Sequence, residues 1–481
     1  MADPTAAPLT GFPTEAAQSP HRRVEYRIDR TLRLRNDNRP GVLGEVAGAI
    51  GAVGGNIGDI RTVQRGSAHV VRDLDVTCVD LAMLDQVLQA VRALAHTRLV
   101  DVRDEVLRVH VGGKLRIVPR YPVASLADLR RVYTPGVAEV CRLIAREPAA
   151  ADRYTMSANL VAVVTDGTAV LGLGNIGPVA GMPVMEGKCA LLAQLVQVDA
   201  VPILLEPGPP AALVDAVARI APTFGAIQLE DIAAPACFTI APRLQERVPI
   251  PVLHDDQHGT ATVVLAAVTR AAQLVGRPLQ SMRAGVAGLG AAGFAIAELL
   301  TQVLEQPVLG AGRTADSIAR LARAGGVPVT LDELVARCDI VIAVTAQPEL
   351  IAPAQVRPGQ LIFALSNPVP EILPELARAA GAAIAVDGSV VNNLLGFPGL
   401  FRGALDTRAR RFSHGMFLAA AASIAALAKG DELVPDPLDP SVHRAVARAV
   451  ASAAVASDVA RVVPPADYFE LGPLDRGAPG A

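Results

Sequence analysis

The chain has 481 residues, which is too long for one hydrophobic core and predicts roughly three or four domains. Hydrophobic residues make up 51% and charged residues 19%, and 44 basic against 47 acidic side chains leave a net charge of -3. This balance gives no electrostatic basis for a nucleic acid or an anionic membrane as partner.

The spacing of the cysteines and the composition of the N-terminal residues indicate the cellular compartment in which the protein is expected. Five cysteines lie far apart and form no C-x-x-C pair, namely Cys78, Cys141, Cys189, Cys237 and Cys338. This spacing argues against a disulfide framework or a zinc site and indicates a reducing, cytoplasmic compartment. Residues 1–24 are rich in Pro and Ala and lack a basic segment before an apolar run, so a disordered tail is expected rather than a signal peptide. Apolar runs are broken before about 18 residues, so no membrane span is expected.

Residues 25–108 predict a small α+β domain. The stretch YRIDRTLRLRN alternates like a strand and RPGVLGEVAGAIGAVGG has helical spacing, and the patterns continue in the order β-α-β-(β)-α-β, with RLVDVRDEVLRVH as the closing strand. With the turn NDNRPGVL, this order resembles an ACT domain, a ferredoxin-like regulatory module. The resemblance implies a small-molecule effector site at the turn from Asn38 to Leu43. A domain used only for dimerisation fits the same pattern.

The rest of the chain predicts two α/β domains and a C-terminal helix. In residues 109–275, Asp166-Gly167 lies between two apolar runs and predicts a hairpin turn. Residues 276–430 alternate short strands and helices, as in an open parallel sheet of the Rossmann type. Residues 431–481 contain the Ala-rich helix SVHRAVARAVASAAVASDVARVV and a Pro/Gly-rich end.

The spacing G-x-G-x-x-G, typical of dinucleotide-binding turns, occurs twice. The copy at Gly172, Gly174 and Gly177 runs into Pro178, so no helix is expected to follow it directly. Without a helix N-terminus there are no free amides for a pyrophosphate. The first copy is therefore not assigned to a cofactor.

The second copy has the context of a dinucleotide site. Gly288, Gly290 and Gly293 follow the strand RAGVA and open the helix AAGFAIAELLTQVL. The first two glycines permit a tight turn and close approach of the backbone, and the third lets helix and strand pack closely. The acidic residue expected about 20 positions further on is missing, because the next strand ends in Gly312 and Arg313. An arginine there favours the 2′-phosphate of NADP, while NAD stays open as the alternative.

Two acidic pairs border apolar segments in the middle of the chain. Glu230-Asp231 follows an apolar stretch in AIQLEDIAAPAC, and Asp255-Asp256 precedes one in PVLHDDQHGTATVVLAAV. Carboxylates at two strand ends can converge at one edge of a sheet, and oxygen ligands of this kind suit Mg²⁺ or Mn²⁺. For either pair alone a helix N-cap or a solvated turn is the favoured explanation, and it is the presence of two such pairs, each beside an apolar segment, that favours a metal site.

A lysine and a tyrosine are candidates for proton transfer. Lys188 follows Gly187 in PVMEGKCALLAQLV, at the expected start of an apolar helix, where burial and the helix dipole are expected to lower its pKa towards that of a usable base. Tyr133 precedes a Thr-Pro-Gly turn in RVYTPGVAEVC that could expose its hydroxyl. A lysine that extends to the surface and a tyrosine that only packs are the alternatives.

A series of motifs from Tyr133 to Asp406 resembles the bacterial malic enzymes, and the ACT-like segment resembles their subclass with an N-terminal regulatory domain. The motifs are YTPGVAEVC, VVTDGTAVLGLGNIGPVAGMPVMEGKCALL, APTFGAIQLEDIAAPACF, PVLHDDQHGTA, GLGAAGFAIA, ALSNPVPEI and VNNLLGFPGLFRGALD.

The resemblance implies a role for each motif. Tyr133 is expected to be the general acid and Lys188 the general base, with Asp255 as its partner. His254 and His258 are given only a positioning role. The residues implied for the metal are Glu230, Asp231 and Asp256, those for the substrate are Lys188, Asn367 and Asn393, and those for the cofactor are Gly288, Leu289, Gly290, Ala291, Ala292, Gly293, Arg313 and Asn367.

The implied activity is the oxidative decarboxylation of (S)-malate to pyruvate and CO₂, with reduction of NAD or NADP and a requirement for Mg²⁺ or Mn²⁺. A homodimer or higher homo-oligomer is expected. Two alternatives stay open at this point. One is an amino-acid dehydrogenase, which also pairs a lysine with a Rossmann domain but needs no metal. The other is a catalytically weak sensor that binds an effector through residues 25–108.

Overall fold

The computed structural model describes residues 28–170, 173–367 and 369–471, without the side chains of residues 469–471. The tail predicted over residues 1–24 and Gly172 of the first glycine pattern lie outside the described residues. The chain divides into two compact units. We call them the N-terminal unit, which ends at Gly113, and the C-terminal unit, which begins at Lys114.

An antiparallel sheet and two main helices form the N-terminal unit. Its elements are β1 (Ile28–Asp37), α1 (Val42–Ala52), β2 (Asn56–Arg65), β3 (His69–Cys78), α2 (Leu81–Arg92), β4 (Thr97–Asp104) and α3 (Glu105–His110). The strands lie in the order β2-β3-β1-β4. Leu32 and Leu34 of β1 pack with Leu74 of β3 against Ile50 and Val87 of the helices. The predicted succession of strands and helices is confirmed.

The end of the N-terminal unit differs from the expectation. The segment RLVDVRDEVLRVH was expected to be one strand, but β4 ends at Asp104 and a short helix follows. The Asp104 side chain accepts a hydrogen bond from the Leu107 N–H at 2.9 Å. This N-cap satisfies a free helical amide, which explains why the strand stops there.

The first sheet of the C-terminal unit is fully parallel. Its strands are β5 (Leu160–Thr165), β6 (Asp199–Leu204), β7 (Ala226–Leu229) and β8 (Val252–His254). The helices of this region are α4 (Leu126–Val132), α5 (Val137–Arg146), α6 (Ala151–Tyr154), α7 (Pro178–Val196), α8 (Pro210–Ile220), α9 (Cys237–Arg247) and α10 (Thr260–Leu274). The strand order is β6-β5-β7-β8. The predicted hairpin at Asp166-Gly167 is wrong, because β5 pairs in parallel with β6 and β7 and the chain returns through α7.

The second sheet is also parallel and carries the second glycine pattern. Its strands are β9 (Ala284–Ala287), β10 (Leu309–Ala311), β11 (Val327–Pro328), β12 (Ile340–Ala343), β13 (Leu361–Ala364) and β14 (Ile384–Asp387), and its helices are α11 (Ala291–Leu300), α12 (Ala315–Arg323), α13 (Leu331–Arg337) and α14 (Pro374–Ala379). The order β11-β10-β9-β12-β13-β14 reverses direction between β9 and β12. Open sheets of this type bind ligands at such a reversal, beyond the carboxyl ends of the strands. The predicted Rossmann-type sheet is confirmed.

Four helices complete the C-terminal unit, namely α15 (Phe397–Asp406), α16 (His414–Leu427), α17 (Pro440–Ala456) and α18 (Ala466–Leu471). Helix α15 is buried along nearly its whole length and packs on α17 and α7. Helix α16 packs on α10. The predicted Ala-rich helix is confirmed as α17.

Among the described residues, one helix is long and apolar enough to cross a membrane by length and composition alone. It is α7, which has 19 residues. Core helices of folded domains pass the same test, and α7 packs on β5, β6 and α15.

Candidate active site

Two acidic pairs meet at one edge of the first parallel sheet. Strand β7 ends at Leu229 and β8 ends at His254, and these two residues are register partners. The residues that follow them therefore leave the sheet side by side, as the sequence predicts. Oxygen atoms of Glu230, Asp231 and Asp256 all lie within 4.8 Å of one another.

The backbone at this edge adopts two uncommon conformations. Asp231 has a φ of 55°, in the left-handed region that few residues other than glycine adopt, and its N–H donates to Asp256 Oδ2 at 3.0 Å. Asp255 to Gly259 form a π-helical turn before α10. A Cβ at Gly259 would lie 1.9 Å from Asp255 Oδ1, so only glycine fits there. Strain and π-turns of this kind concentrate at functional sites.

Lys188 lies in the interior between two of these carboxylates. Its ammonium donates to Asp255 Oδ2 at 2.5 Å and lies 3.1 Å from Glu230 Oε1. The same nitrogen lies 4.6 Å from the centre of the Phe397 ring. Asn393 Nδ2 donates to Asp255 Oδ2 at 2.8 Å. Asp255 thus joins the predicted base to a predicted substrate residue.

Lys188 was expected at the start of a helix and with a lowered pKa, and both expectations are wrong. Helix α7 begins at Pro178, directly after Gly177, because a proline is well tolerated at the first position of a helix. Lys188 therefore lies in the middle of the helix rather than at its positive end. Burial opposes the charged form, but the negative charges of Asp255 and Glu230 outweigh it and raise the pKa of Lys188 above its ordinary value.

The site brings four carboxyl groups together beside one ammonium. Burial raises the pKa of Glu230 well above its ordinary range and also raises the pKa values of Asp255 and Asp256. Asp231 is a further buried carboxyl group, whereas the Asp256 side chain is 35% exposed. A divalent cation favours the charged form of carboxyl groups that burial makes costly to ionise, so the predicted ligand set fits Mg²⁺ or Mn²⁺.

Of the two neighbouring histidines, His254 is fully buried and His258 is half-buried. Burial lowers the pKa values of His254 and His258 to about 4. His258 stacks on Phe417, with ring centres 5.0 Å apart and an interplanar angle of 11°. These contacts agree with a positioning role.

Sequence reasoning missed three side chains at this edge. Gln228 Nε2 donates to Glu230 Oε2 at 2.6 Å and is fully buried. Phe397 contacts the Lys188 ammonium. Asp166 is buried after the end of β5, where its carboxylate accepts from Thr168 Oγ1 at 2.6 Å. Its place at the end of an apolar run is the signal that could have identified it.

The structure does not bring the other two predicted residues to Lys188. Tyr133 is 67% exposed at the end of α4, and its side chain forms no hydrogen bond or ring contact with the described residues. Asn367 is exposed, lies beside Gly388, and forms no side-chain hydrogen bond within the described part of the chain. In one copy of the chain, the predicted acid and base are therefore not in contact.

The second glycine pattern forms a tight turn between β9 and α11. Gly288 has a φ of +90°, and a Cβ at Gly293 would lie 1.8 Å from the Gly288 carbonyl oxygen. At Gly290 a Cβ would meet no atom within 4 Å. Ala291 and Ala292 form the first turn of α11. The steric demands at Gly288 and Gly293 are those of a dinucleotide-binding turn.

A cavity of about 680 Å³ lies against this turn. Its wall includes Gly288, Leu289, Gly290 and Arg313, all predicted for the cofactor. Phe238 of α9 also lines it. The volume is ample for a ligand of drug size or larger.

The fold and site define a class of enzyme, the nucleotide-dependent oxidoreductases that combine a Rossmann-type sheet with an acidic centre suited to a divalent cation. Comparison with known families narrows the class. Residues 113–211 match the malic enzyme N-terminal domain, and residues 383–463 match the malic enzyme NAD binding domain. Residues 254–349 match the NAD binding domain of D-isomer specific 2-hydroxyacid dehydrogenases.

Whole-chain relatives lead to the same family. NAD-dependent malic enzyme 1 of Bacillus subtilis (strain 168) is 51% identical over 428 residues, which cover 89% of this chain and 98% of the relative. NAD-dependent malic enzyme of Geobacillus stearothermophilus is 40% identical and covers 90% and 95%. The crystal structure of malic enzyme from Pyrococcus horikoshii has a TM-score of 0.72 and 40% identity, and covers 75% of this chain and 90% of its own. The chain belongs to the malic enzyme family.

Proposed function

We propose that the carboxylate and lysine site carries out the reaction of the family, the oxidative decarboxylation of (S)-malate to pyruvate and CO₂ with reduction of NAD or NADP. The observation that carries the proposal is the position of Lys188. Its ammonium lies between Asp255 and Glu230, beside three carboxylates whose oxygens lie within 4.8 Å of one another. A base and a cation site in contact suit a 2-hydroxy acid that gives up its hydroxyl proton, passes a hydride from C2 to the cofactor and then loses the carboxylate at C3 as CO₂.

Glu230, Asp231 and Asp256 are the residues that would hold Mg²⁺ or Mn²⁺. When bound, the metal polarises the substrate oxygen and accepts electron density as CO₂ leaves, and the nicotinamide accepts a hydride. Carboxylates that share their charge with a divalent cation hold the Lys188 ammonium less strongly. The pKa of Lys188 then falls, the ammonium releases a proton to solvent, and the neutral amine can take the proton of the C2 hydroxyl.

Asp255 and Asn393 position the base. Asp255 is fully buried and holds both the Lys188 ammonium and the Asn393 amide. The Phe397 ring covers a further side of the ammonium. These contacts limit the directions in which Lys188 can move, which favours proton transfer to a fixed atom.

The turn at Gly288 is the proposed place of the cofactor pyrophosphate, with Leu289 to Gly293 beside it. Gly290 leaves open space at its Cβ position, and α11 begins at Ala291 with its free amides at this end. Asn367 and Asn393 are proposed to hold the nicotinamide and the substrate.

The unpaired cysteines support a cytoplasmic location.

Tyr133 is proposed as the acid that protonates the enolate at C3, within a homodimer or a higher oligomer. Helices α4 and α5 bury no residue in one copy of the chain. The region from 117 to 137 exposes large apolar side chains, including Ile117 at 85% and Leu126 at 75%. Contiguous apolar exposure of this kind marks a surface that another chain covers. Such an assembly would let Tyr133 reach the Lys188 site of a second copy.

The N-terminal unit is proposed to be an ACT-like, ferredoxin-like regulatory domain that covers residues 25–108. Its support is the strand order β2-β3-β1-β4 with both main helices in βαβ connections. The turn at Asn38–Leu43 contains Gly41 with a φ of 90°, and Asn38 Nδ2 donates to the Gly66 carbonyl at 2.9 Å. A thermal-shift screen of single amino acids and small carboxylic acids tests this proposal. A ligand whose shift disappears in Asn38→Ala would support it, and a full screen without a shift would contradict it.

The metal-dependent reaction has a simple test. Malate-dependent formation of reduced cofactor should stop in EDTA and return when Mn²⁺ is added in excess. Activity that persists in EDTA would exclude the proposed role of the three carboxylates and favour a metal-free dehydrogenase.

A further inference from the structure

The position at the end of the second Rossmann strand, where a ribose-binding acid is expected, is crowded. A Cβ at Gly312, just after β10, would lie 2.7 Å from Ser317 Oγ and 3.0 Å from Leu289 Cδ1. Ser317 Oγ in turn donates to the Thr314 carbonyl at 2.8 Å. A side chain at Gly312 would therefore disturb the start of α12 and the pyrophosphate turn. The missing acid is a consequence of packing.

An acidic group four residues after Gly312 lines the cavity at the Gly288 turn. Asp316 lies in the first turn of α12, and its side chain is 65% exposed. Its carboxylate is paired with Arg320, one helical turn further on. The Arg320 guanidinium lies 3.7 Å from the centre of the Phe238 ring and 5.6 Å from that of Phe294. These rings and the ion pair hold both charged groups in place.

Arg313 is the third charged group of the cavity wall, beside Asp316 and Arg320, and it is not held in this way. It is exposed, and its side chain forms no hydrogen bond or ion pair with the described residues. A free arginine must lose side-chain freedom to bind a phosphate, which offsets much of the gain from an exposed charge pair. Asp316, which is already paired with Arg320, therefore loses less side-chain freedom on binding a cofactor than Arg313 does.

We propose that Asp316 determines the choice between NAD and NADP, by accepting hydrogen bonds from the ribose hydroxyls of NAD and repelling the 2′-phosphate of NADP. The chain then prefers NAD, in contrast to the expectation from Arg313. The inference rests on the proposed function, since it assigns the cavity to the cofactor of that reaction.

The test is a titration with reduced cofactors, followed by their own fluorescence, without malate or metal. Wild-type protein should bind NADH at least about tenfold more tightly than NADPH, the effect of one hydrogen bond to a charged group. Asp316→Asn should lower that ratio about tenfold, and Arg313→Ala should change it much less. Asp215→Asn is the matched control, because it removes another exposed Asp–Arg pair, with Arg247, outside the cavity.

A wild-type preference for NADPH, or an unchanged ratio in Asp316→Asn, would overturn the inference. The ratio in kcat/KM for the two oxidised cofactors should follow the binding ratio. If the protein binds NADH selectively through Asp316 but does not turn over malate, the proposed function fails and this inference stands.

Discussion

Lys188 makes three contacts that would hold a base in place, with Asp255 at 2.5 Å, with Glu230 at 3.1 Å and with the Phe397 ring. Both carboxylates favour the ammonium form. Lys188 can abstract a proton only after its pKa falls, which would happen if a bound cation weakened the attraction between these carboxylates and the ammonium. The pKa of the base and the occupancy of the metal site are therefore expected to be coupled.

Lys188→Ala should lower the rate of malate oxidation by about 10²–10⁴-fold, because among the described residues no other lysine contacts Asp255. Cofactor binding should survive, since the cavity at the glycine turn does not include Lys188. Steady-state kcat and an NADH titration measure the two properties. Lys429→Ala, which removes an exposed lysine, is the control. Near-normal turnover in Lys188→Ala would contradict the assignment of the base.

Asp256→Asn should raise the Mn²⁺ concentration needed for half-maximal activity by orders of magnitude, since it removes charge and a ligand but keeps an oxygen for the Asp231 N–H. His258→Ala should have a much smaller effect on that concentration. Metal titrations of initial rate give the ranking. The reverse ranking would move the metal site to the histidines.

The site was predictable from the sequence where it depends on strand ends. Glu230 and Asp256 converge because β7 and β8 are parallel neighbours. The pKa of Lys188 was not predictable, because it is determined by Asp255 and Glu230, which are distant in sequence and close in space. The contacts that Tyr133 would make in the proposed assembly leave no pattern in a single sequence.

Among the secondary-structure elements, the turn between β9 and α11 contains two glycines with different roles. Gly293 is needed for close packing, and Gly290 leaves room for a ligand. Gly293 has the Gly288 carbonyl 1.8 Å from its Cβ position, whereas Gly290 has open space. The two positions therefore predict different consequences of the same substitution.

Gly290→Ala should leave the melting temperature within about 2 °C of wild type and weaken NADH binding about tenfold or more, because the added methyl occupies the path of the pyrophosphate. Gly293→Ala should lower the melting temperature as well, because helix and strand must separate. Thermal unfolding and NADH titration of both variants provide the comparison. Unchanged NADH binding in Gly290→Ala would place the cofactor elsewhere.

Most elements followed from hydrophobic patterns, and the errors have local causes. The start of α7 was missed because Pro178 was taken to prevent a helix, although proline suits the first helical position. The hairpin at Asp166-Gly167 was predicted from turn residues alone. Such residues also follow buried parallel strands, and pairing between distant strands is not visible in a local pattern.

In the whole molecule, residues 117–137 expose several large apolar side chains, a pattern typical of a surface that another chain covers. If a second copy provides it, Tyr133 and Lys188 of one site belong to different chains. Lys188→Ala and Tyr133→Phe should each form little pyruvate alone. An equal mixture, unfolded and refolded together, should recover about a quarter of wild-type pyruvate formation, since half of the dimers hold one intact site of two.

No recovery in the mixture, with heterodimers verified by mass, would place both residues in sites of the same chain. Sedimentation of the wild type at the assay concentration is the companion measurement. A monomer with full activity would exclude the shared site.

This malic enzyme is expected to couple the oxidation of malate to the loss of CO₂. The most direct measurement follows reduced cofactor, pyruvate and oxaloacetate together in one reaction with (S)-malate, Mn²⁺ and NAD. We predict pyruvate and NADH in equal amounts, with no accumulation of oxaloacetate. Oxaloacetate as the product, or no malate-dependent NADH with either NAD or NADP, would contradict the account.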